Sequence, residues 1–172
     1  GVPGNIKSTI ETIDALEGLP GHLTHVQFHC YGNEGPKKFS SASLQLVEKL
    51  KNAKNITIDV GQIIFGQTVT TSGDTMKQHS NTENAHPKKW VMGDIECTAG
   101  CGVVPFKYKE NSFVNALQWV IGLEIFLLVD NPWQVVLTTD HPNGGPFTSY
   151  PHLIKLTILF HLLIKSDQMI MN

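Results

Sequence analysis

The 172 residues are 41% hydrophobic, enough for one sizeable core but short of the roughly 250 that a complete eight-stranded α/β barrel takes. The net charge of -2 comes from 13 Lys and Arg against 15 Asp and Glu, and no basic run exceeds the pairs Lys37-Lys38 and Lys88-Lys89, which argues against nucleic acid as a partner. Cys30, Cys97 and Cys101 make an odd set without framework spacing, as in a reducing, cytoplasmic setting, and Gly1-Val2-Pro3-Gly4 has no signal-peptide features and reads as a cut end.

In chain order, Asn5 stands as an N-cap before Ile6, Ile10, Ile13 and Leu16, and Gly18 follows as a stop. This pattern predicts an amphipathic helix. The stretch from His22 to Gly32 alternates like a strand. Leu23, His25, Gln27 and His29 then share one face, and Thr24, Val26, Phe28 and Cys30 the other. Ser40 or Ser41 can cap a helix carrying Leu44, Leu46, Val47, Leu50 and Ala53. Asn55 to Gly61 is the next strand, so the order strand, helix, strand implies a βαβ unit with parallel strands.

Gln67 through Lys89 is polar and turn-rich, and reads as a long functional or mobile loop. Cys97 and Cys101 form a Cys-x3-Cys without a second pair, so buried thiols are the default there over structural zinc. Asn111 to Val129 is strongly apolar but interrupted by Asn115, Gln118 and Glu124, as in a buried helix and not a membrane span.

Asn131-Pro132 then leads into the strand Val135 to Asp140, which breaks at Pro142, Gly144 and Gly145. With period two, Val136, Thr138 and Asp140 share a face. A carboxylate at the C-terminal tip of a parallel strand lies where α/β barrels carry their chemistry, although a turn or capping Asp accounts for it equally well. Three strand ends therefore offer polar groups to one rim: His25, Gln27 and His29; Asp59 and Gln62; Thr138 and Asp140. Imidazole and carboxylate are zinc-type donors, while a single strand His is more often a hydrogen-bonded core residue. His22, His79, His86, His152 and His161 receive only that structural reading.

The segments His22 to His29, Asn55 to Gln62, Asp94 to Cys97 with Cys101 to Phe106, and Thr138 to Gly144 resemble the A-type subunit of formylmethanofuran dehydrogenase. The resemblance runs in register from about Gly1 to Leu156, and the corresponding component of the methylotroph formyltransferase/hydrolase complex is similar too. It implies an amidohydrolase-superfamily α/β fold, the C-terminal half of a TIM-type barrel in a single fragment, with a divergent tail over 157–172. It also implies a dinuclear zinc site at which formate and the primary amine of methanofuran are interconverted with the N-formyl amide. His25 matches the sixth-strand ligand, with His29 as the competing candidate, and Asp140 matches the eighth-strand acid that binds metal and shuttles a proton. His29 and Asn143 are the expected substrate contacts.

Four of six expected ligands, a first-strand His pair, a carboxylated Lys and a fifth-strand His, fall upstream of Gly1 in the family pattern. The implied partners are the other subunits of the complex, which hold the tungsten or molybdenum and iron–sulfur centres. The alternatives are a catalytically inactive fragment that serves as an assembly surface and the methylotroph hydrolase component.

Overall fold

The computed structural model describes residues 3–16, 18–35, 38–72 and 102–159. Strand β1 (Gly21–Leu23), strand β4 (Ile56–Gly61) and strand β7 (Val135–Thr138) form a parallel sheet in the order β1-β4-β7. Two small antiparallel pairs flank it: β2 (Tyr31–Gly32) with β3 (Ser40–Ser41), and β5 (Gly66–Ser72) with β6 (Gly102–Tyr108). The helices are α1 (Ile6–Ala15), α2 (Ser43–Asn52) and α3 (Phe113–Leu128), and residues 150–159 are helical as well. The chain is thus α/β with its parallel strands in one sheet.

The central strand β4 explains the core. Ile56, Ile58 and Val60 are fully buried, and so are Leu46 of α2 and Ile121 and Ile125 of α3, while Ile6 and Ile13 of α1 are nearly so. Burial of each such side chain contributes about 1.5–3 kcal/mol. Glu124 on α3 accepts hydrogen bonds from Ser41 Oγ at 2.5 Å and Ser43 Oγ at 2.6 Å, which ties α3 to the start of α2. Gln134 Nε2 donates to Ala53 O at 2.9 Å and Ile56 O at 3.0 Å, pinning the entry of β7 to the entry of β4. Among the described residues no helix is long and apolar enough to cross a membrane.

The structure departs from the sequence pattern at four places. The strand expected from His22 to Gly32 stops at Leu23, and Val26–His29 is a 3-10 helix, so His25, Gln27 and His29 do not share a strand face. Strand β7 stops at Thr138, and Asp140 has φ +49, so it does not continue the face of Val136 and Thr138. The region expected to be a loop from Gln67 begins as β5, because Thr68, Val69, Thr70 and Thr71 are β-branched and pair with β6. Finally, Asn5 does not cap α1. Its Nδ2 donates to Phe28 O and its Oδ1 accepts from Tyr31 N, both at 2.9 Å, so it fastens the 3-10 segment. The remainder of that loop, Cys97, Cys101 and residues 160–172 of the expected tail over 157–172 lie outside the described residues.

Candidate active site

Because β1 ends early, the side of β4 that it would have paired is open beyond Ile58. Gln27 closes the gap. Its Oε1 accepts from Gly61 N at 2.9 Å and its Nε2 donates to Gly61 O, so one buried amide replaces a strand partner. Between Leu23 and this clamp the chain must turn sharply, and His25 takes up the turn in the left-handed region at φ +51. The Asp59 carboxylate holds that turn: Oδ1 accepts from His25 N at 2.7 Å.

Asp140 arrives from the other neighbour of β4. Gln62 N donates to Thr138 O at 2.8 Å, and Asp140 N donates to Thr138 Oγ1 at 3.2 Å. Gly144 N donates to Asp140 O at 3.1 Å, which closes the loop after the strand. Thr68 on β5 then donates to the carbonyls of Pro142 and Asn143, so the small hairpin clamps this loop. These bonds fix the carboxylate against the rim.

The two turns bring their side chains together. His25 Nε2 lies 3.1 Å from Asp140 Oδ1, and His25 Nδ1 lies 2.9 Å from Asp59 Oδ1. The Nδ1 contact is not a hydrogen bond, and this buried nitrogen has no hydrogen-bond partner. On the outer side, His22 Nε2 is 3.2 Å from Asp59 Oδ2, and His22 Nδ1 is 2.8 Å from Thr57 Oγ1. Gly61 lies beneath the pair: a Cβ there would fall 2.8 Å from both Asp140 Cβ and His25 Nδ1, so only glycine admits the approach.

Above the pair is a cavity of about 510 Å³. His25, His29, Asp140 and Asn143, the four residues singled out from sequence, all line it, with Phe28, Tyr108 and Gln118 among the other walls. Burial pushes the Asp140 carboxyl above its ordinary pKa, against the opposing pull of His25 and of a hydrogen bond from Asn143, and the charge of Asp59 adds to the rise. Burial lowers the pKa of His29 and favours its neutral form. It lifts the Tyr108 hydroxyl to about 12, with the charge of Asp140 adding, so Tyr108 keeps its proton beside the carboxylate.

Imidazole nitrogen and carboxylate oxygen are donors that zinc accepts, and His25 and Asp140 converge with a buried, unbonded ring nitrogen between them and Asp59. Among the described residues no group of three or more His, Cys, Asp or Glu is arranged to hold a metal ion, so the pair is a partial donor set. Sequence reasoning leaves Asp59 as a rim acid without a role and His22 as a structural histidine, whereas the structure joins both to the site. An acid inside a run as apolar as Ile58 to Val60 is the available signal, since a buried carboxylate needs partners.

Comparison with known proteins gives the family. The chain is 45% identical over 175 residues to the A-type component of the formyltransferase/hydrolase complex Fhc of Methylorubrum extorquens, covering 98% of this chain and 30% of that protein. It is 40% identical over 165 residues to protein FwdA of Methanocaldococcus jannaschii, covering 90% of this chain and 29% of that one. The chain therefore spans under a third of the length of these relatives. One polypeptide in the crystal structure of the Methylorubrum extorquens formyltransferase/hydrolase complex (FhcABCD) with methylofuran superposes with a TM-score of 0.71 at 47% identity, over 90% of this chain and 28% of that one. The sequence pattern of the amidohydrolase family matches residues 2–161, and the chain belongs to that family.

Proposed function

We propose that this chain is the section of a metal-dependent amidohydrolase barrel that carries the sixth- to eighth-strand rim, and that the whole protein cleaves and forms the N-formyl amide of a methanofuran-type carrier amine. The observation that carries the reading is the 3.1 Å approach of His25 Nε2 to Asp140 Oδ1 at the mouth of a cavity shared with His29 and Asn143. The parallel sheet with its acid just beyond a C-terminal strand end, together with the identity to FwdA and to the Fhc component, supports it.

His25 and Asp140 would hold a zinc ion jointly with donors supplied from elsewhere in the protein. Bound there, zinc supplies Lewis acidity, which makes water a stronger nucleophile and the formyl carbonyl a better electrophile. Asp140 accepts the proton of the attacking water and returns it to the departing amine nitrogen. Its raised pKa suits that exchange, because a carboxyl nearer neutrality gives up a proton as readily as it takes one. Neutral His29 and the Asn143 amide hold the polar atoms of the formamide, and Phe28 offers an apolar wall to the carrier.

The higher identity to the formyltransferase/hydrolase component favours a purely hydrolytic setting over a dehydrogenase complex with tungsten or molybdenum partners. The test is zinc content by mass spectrometry and formate release from N-formylfurfurylamine, measured on the full-length protein and on its His25→Ala and Asp140→Ala variants. We expect near-stoichiometric zinc that falls in both variants and formate release reduced at least about 100-fold in Asp140→Ala. Undiminished release in Asp140→Ala would overturn the reading. Failure of the unmodified protein to bind zinc or release formate would leave an inactive assembly surface as the better account.

A further inference from the structure

We propose that the β5–β6 hairpin is the specificity wall of the cavity. Its Phe106 and Tyr108 select formamides whose amine carries a planar apolar body, and Thr68 is the positioning residue that holds this wall against the loop of Asp140 and Asn143. The inference deepens the formamide reading of the cavity and rests on it.

Strand register puts the three side chains on one face. Thr68 stands directly opposite Phe106 in the antiparallel pair, and residues so paired project to the same side of the sheet, about 4.5–5.5 Å apart at Cβ. Tyr108 comes two residues after Phe106 and shares that side by the alternation of the strand. Its partner in register is Gly66, which has no side chain, so the Tyr108 ring leans on Phe106 instead. The two rings meet edge to face at 4.9 Å and 76°. Both line the cavity.

Thr68 is what this face offers to the loop. It is 8% exposed, and its hydroxyl donates to the carbonyls of Pro142 and Asn143, the latter at 3.1 Å. Asn143 lines the cavity with Asp140, so one hydroxyl joins the two rings of one wall to the two polar side chains of the other. Just past Tyr108, Lys109 N donates to Asn115 Oδ1 at 3.1 Å, and Asn115 lies in the first turn of α3, which is a further wall of the cavity. Each strand of the hairpin is thus fastened beside the two rings. A formamide held at Asp140 and Asn143 lays its amine substituent against this face. Its contacts there are dispersive, and a gap of about 0.5–1 Å forfeits a quarter to a half of each, so the spacing of the walls decides which substituents bind.

The test compares formate release from N-formylfurfurylamine with that from N-methylformamide, which has the same formyl amide without a ring. Both are measured on the full-length protein, together with hydrogen exchange at the Gly144 amide, which closes the loop on Asp140 O. Thr68→Val keeps the shape and the strand preference but not the donor. In it kcat/KM for the ring-bearing substrate should fall about 3–10-fold relative to the ringless one, through KM, as for one lost hydrogen bond. Exchange at Gly144 should accelerate by a similar factor. Thr68→Ser keeps the hydroxyl and should restore both. Phe106→Ala should lower the same ratio about tenfold and leave exchange at Gly144 unchanged. A general loss of folded protein would lower both substrates together and not move their ratio.

An unchanged ratio in folded Thr68→Val, or a lowered one in Thr68→Ser, would overturn the role of Thr68. An unchanged ratio in Phe106→Ala would overturn the wall itself, and decides the matter should Thr68→Val fail to fold. If the unmodified protein releases formate from neither substrate, the formamide reading fails by itself, and unaltered exchange at Gly144 in Thr68→Val would then show separately that Thr68 does not hold the loop.

Discussion

His25 and Asp140 share a backbone state as well as a contact: φ is +51 at the first and +49 at the second, and their side chains meet at 3.1 Å. Among the described residues Lys38 is the other non-glycine residue with positive φ, so two of three such positions belong to one pair. Each costs on the order of 1–3 kcal/mol, and the hydrogen bonds that their N–H groups donate to Asp59 and Thr138, with the one Asp140 O accepts from Gly144 N, hold them in place. The strain is thus concentrated at two facing residues distant in sequence, in keeping with the proposed site.

Gly61→Ala should separate that pair. The new methyl group would sit 2.8 Å from Asp140 Cβ and from His25 Nδ1, and the neighbours that must yield are themselves anchored. Expected are a loss of about 1–3 kcal/mol in urea unfolding and a drop in zinc uptake larger than that instability explains. Wild-type zinc uptake in a folded Gly61→Ala protein would show that the contact is dispensable.

Gln27→Ala tests the clamp on β4. Removing the amide leaves Gly61 N and Gly61 O buried without partners, at about 1–3 kcal/mol for each group left unsatisfied. Hydrogen exchange at the Gly61 amide should accelerate by the same free energy, while amides of the β4–β7 ladder lower in the strand, such as Val60, stay protected. Unchanged exchange at Gly61 would mean that water replaces the side chain at no cost.

Stability should depend on burial and not on hydrophobicity as such. Leu50 is 1% exposed and Val136 is 54% exposed. Leu50→Ala should cost about 2–5 kcal/mol and Val136→Ala about 0.5 kcal/mol or less, read from urea midpoints at constant slope. Equal costs would contradict the position of the core.

Cys30 should behave as an inert thiol. It is fully buried, and burial, with the charge of Glu124 adding, pushes its pKa up to about 12. The raised value means that the fold favours the neutral thiol. Stability is therefore fully present below the unfolded thiol's ordinary pKa and is lost as pH rises through that value toward 12. Iodoacetamide at about pH 8, near the ordinary thiol pKa, should label Cys30 only when denaturant is present, as read by peptide mass mapping. Labelling in the native protein would place the thiol in a more open setting.

Much of this is legible in the sequence, and the misses have physical causes. The apolar run around Ile56 to Val60 and the long segment from Phe113 announce β4 and α3 because burial and periodicity agree there. The turn at His25 leaves no local mark. Val26 and Phe28 keep alternating with polar residues past the true end of β1, no Gly or Pro intervenes, and the bonds that bend the chain come from Asp59 and Asn5, distant in sequence. His25, His29, Asp140 and Asn143 line one cavity, and His29 reaches it from a 3-10 turn and not from the strand face that the alternation implies. Polarity conceals β5, where threonines satisfy the β-branched preference of a strand while reading as loop.

The Gln27 amide that stands in for a strand also separates two kinds of inheritance. Where backbone pairs with backbone, register ties every neighbour to every other, and an insertion disturbs the sheet. At Gly61 a single side chain ends that dependence, so β4 is held there through Gln27 and not through the register of a neighbouring strand. On the β7 side the Gln62 to Thr138 backbone bond keeps register in force up to the rim, so one edge of the cavity mouth is set by a ladder and the other by a single amide.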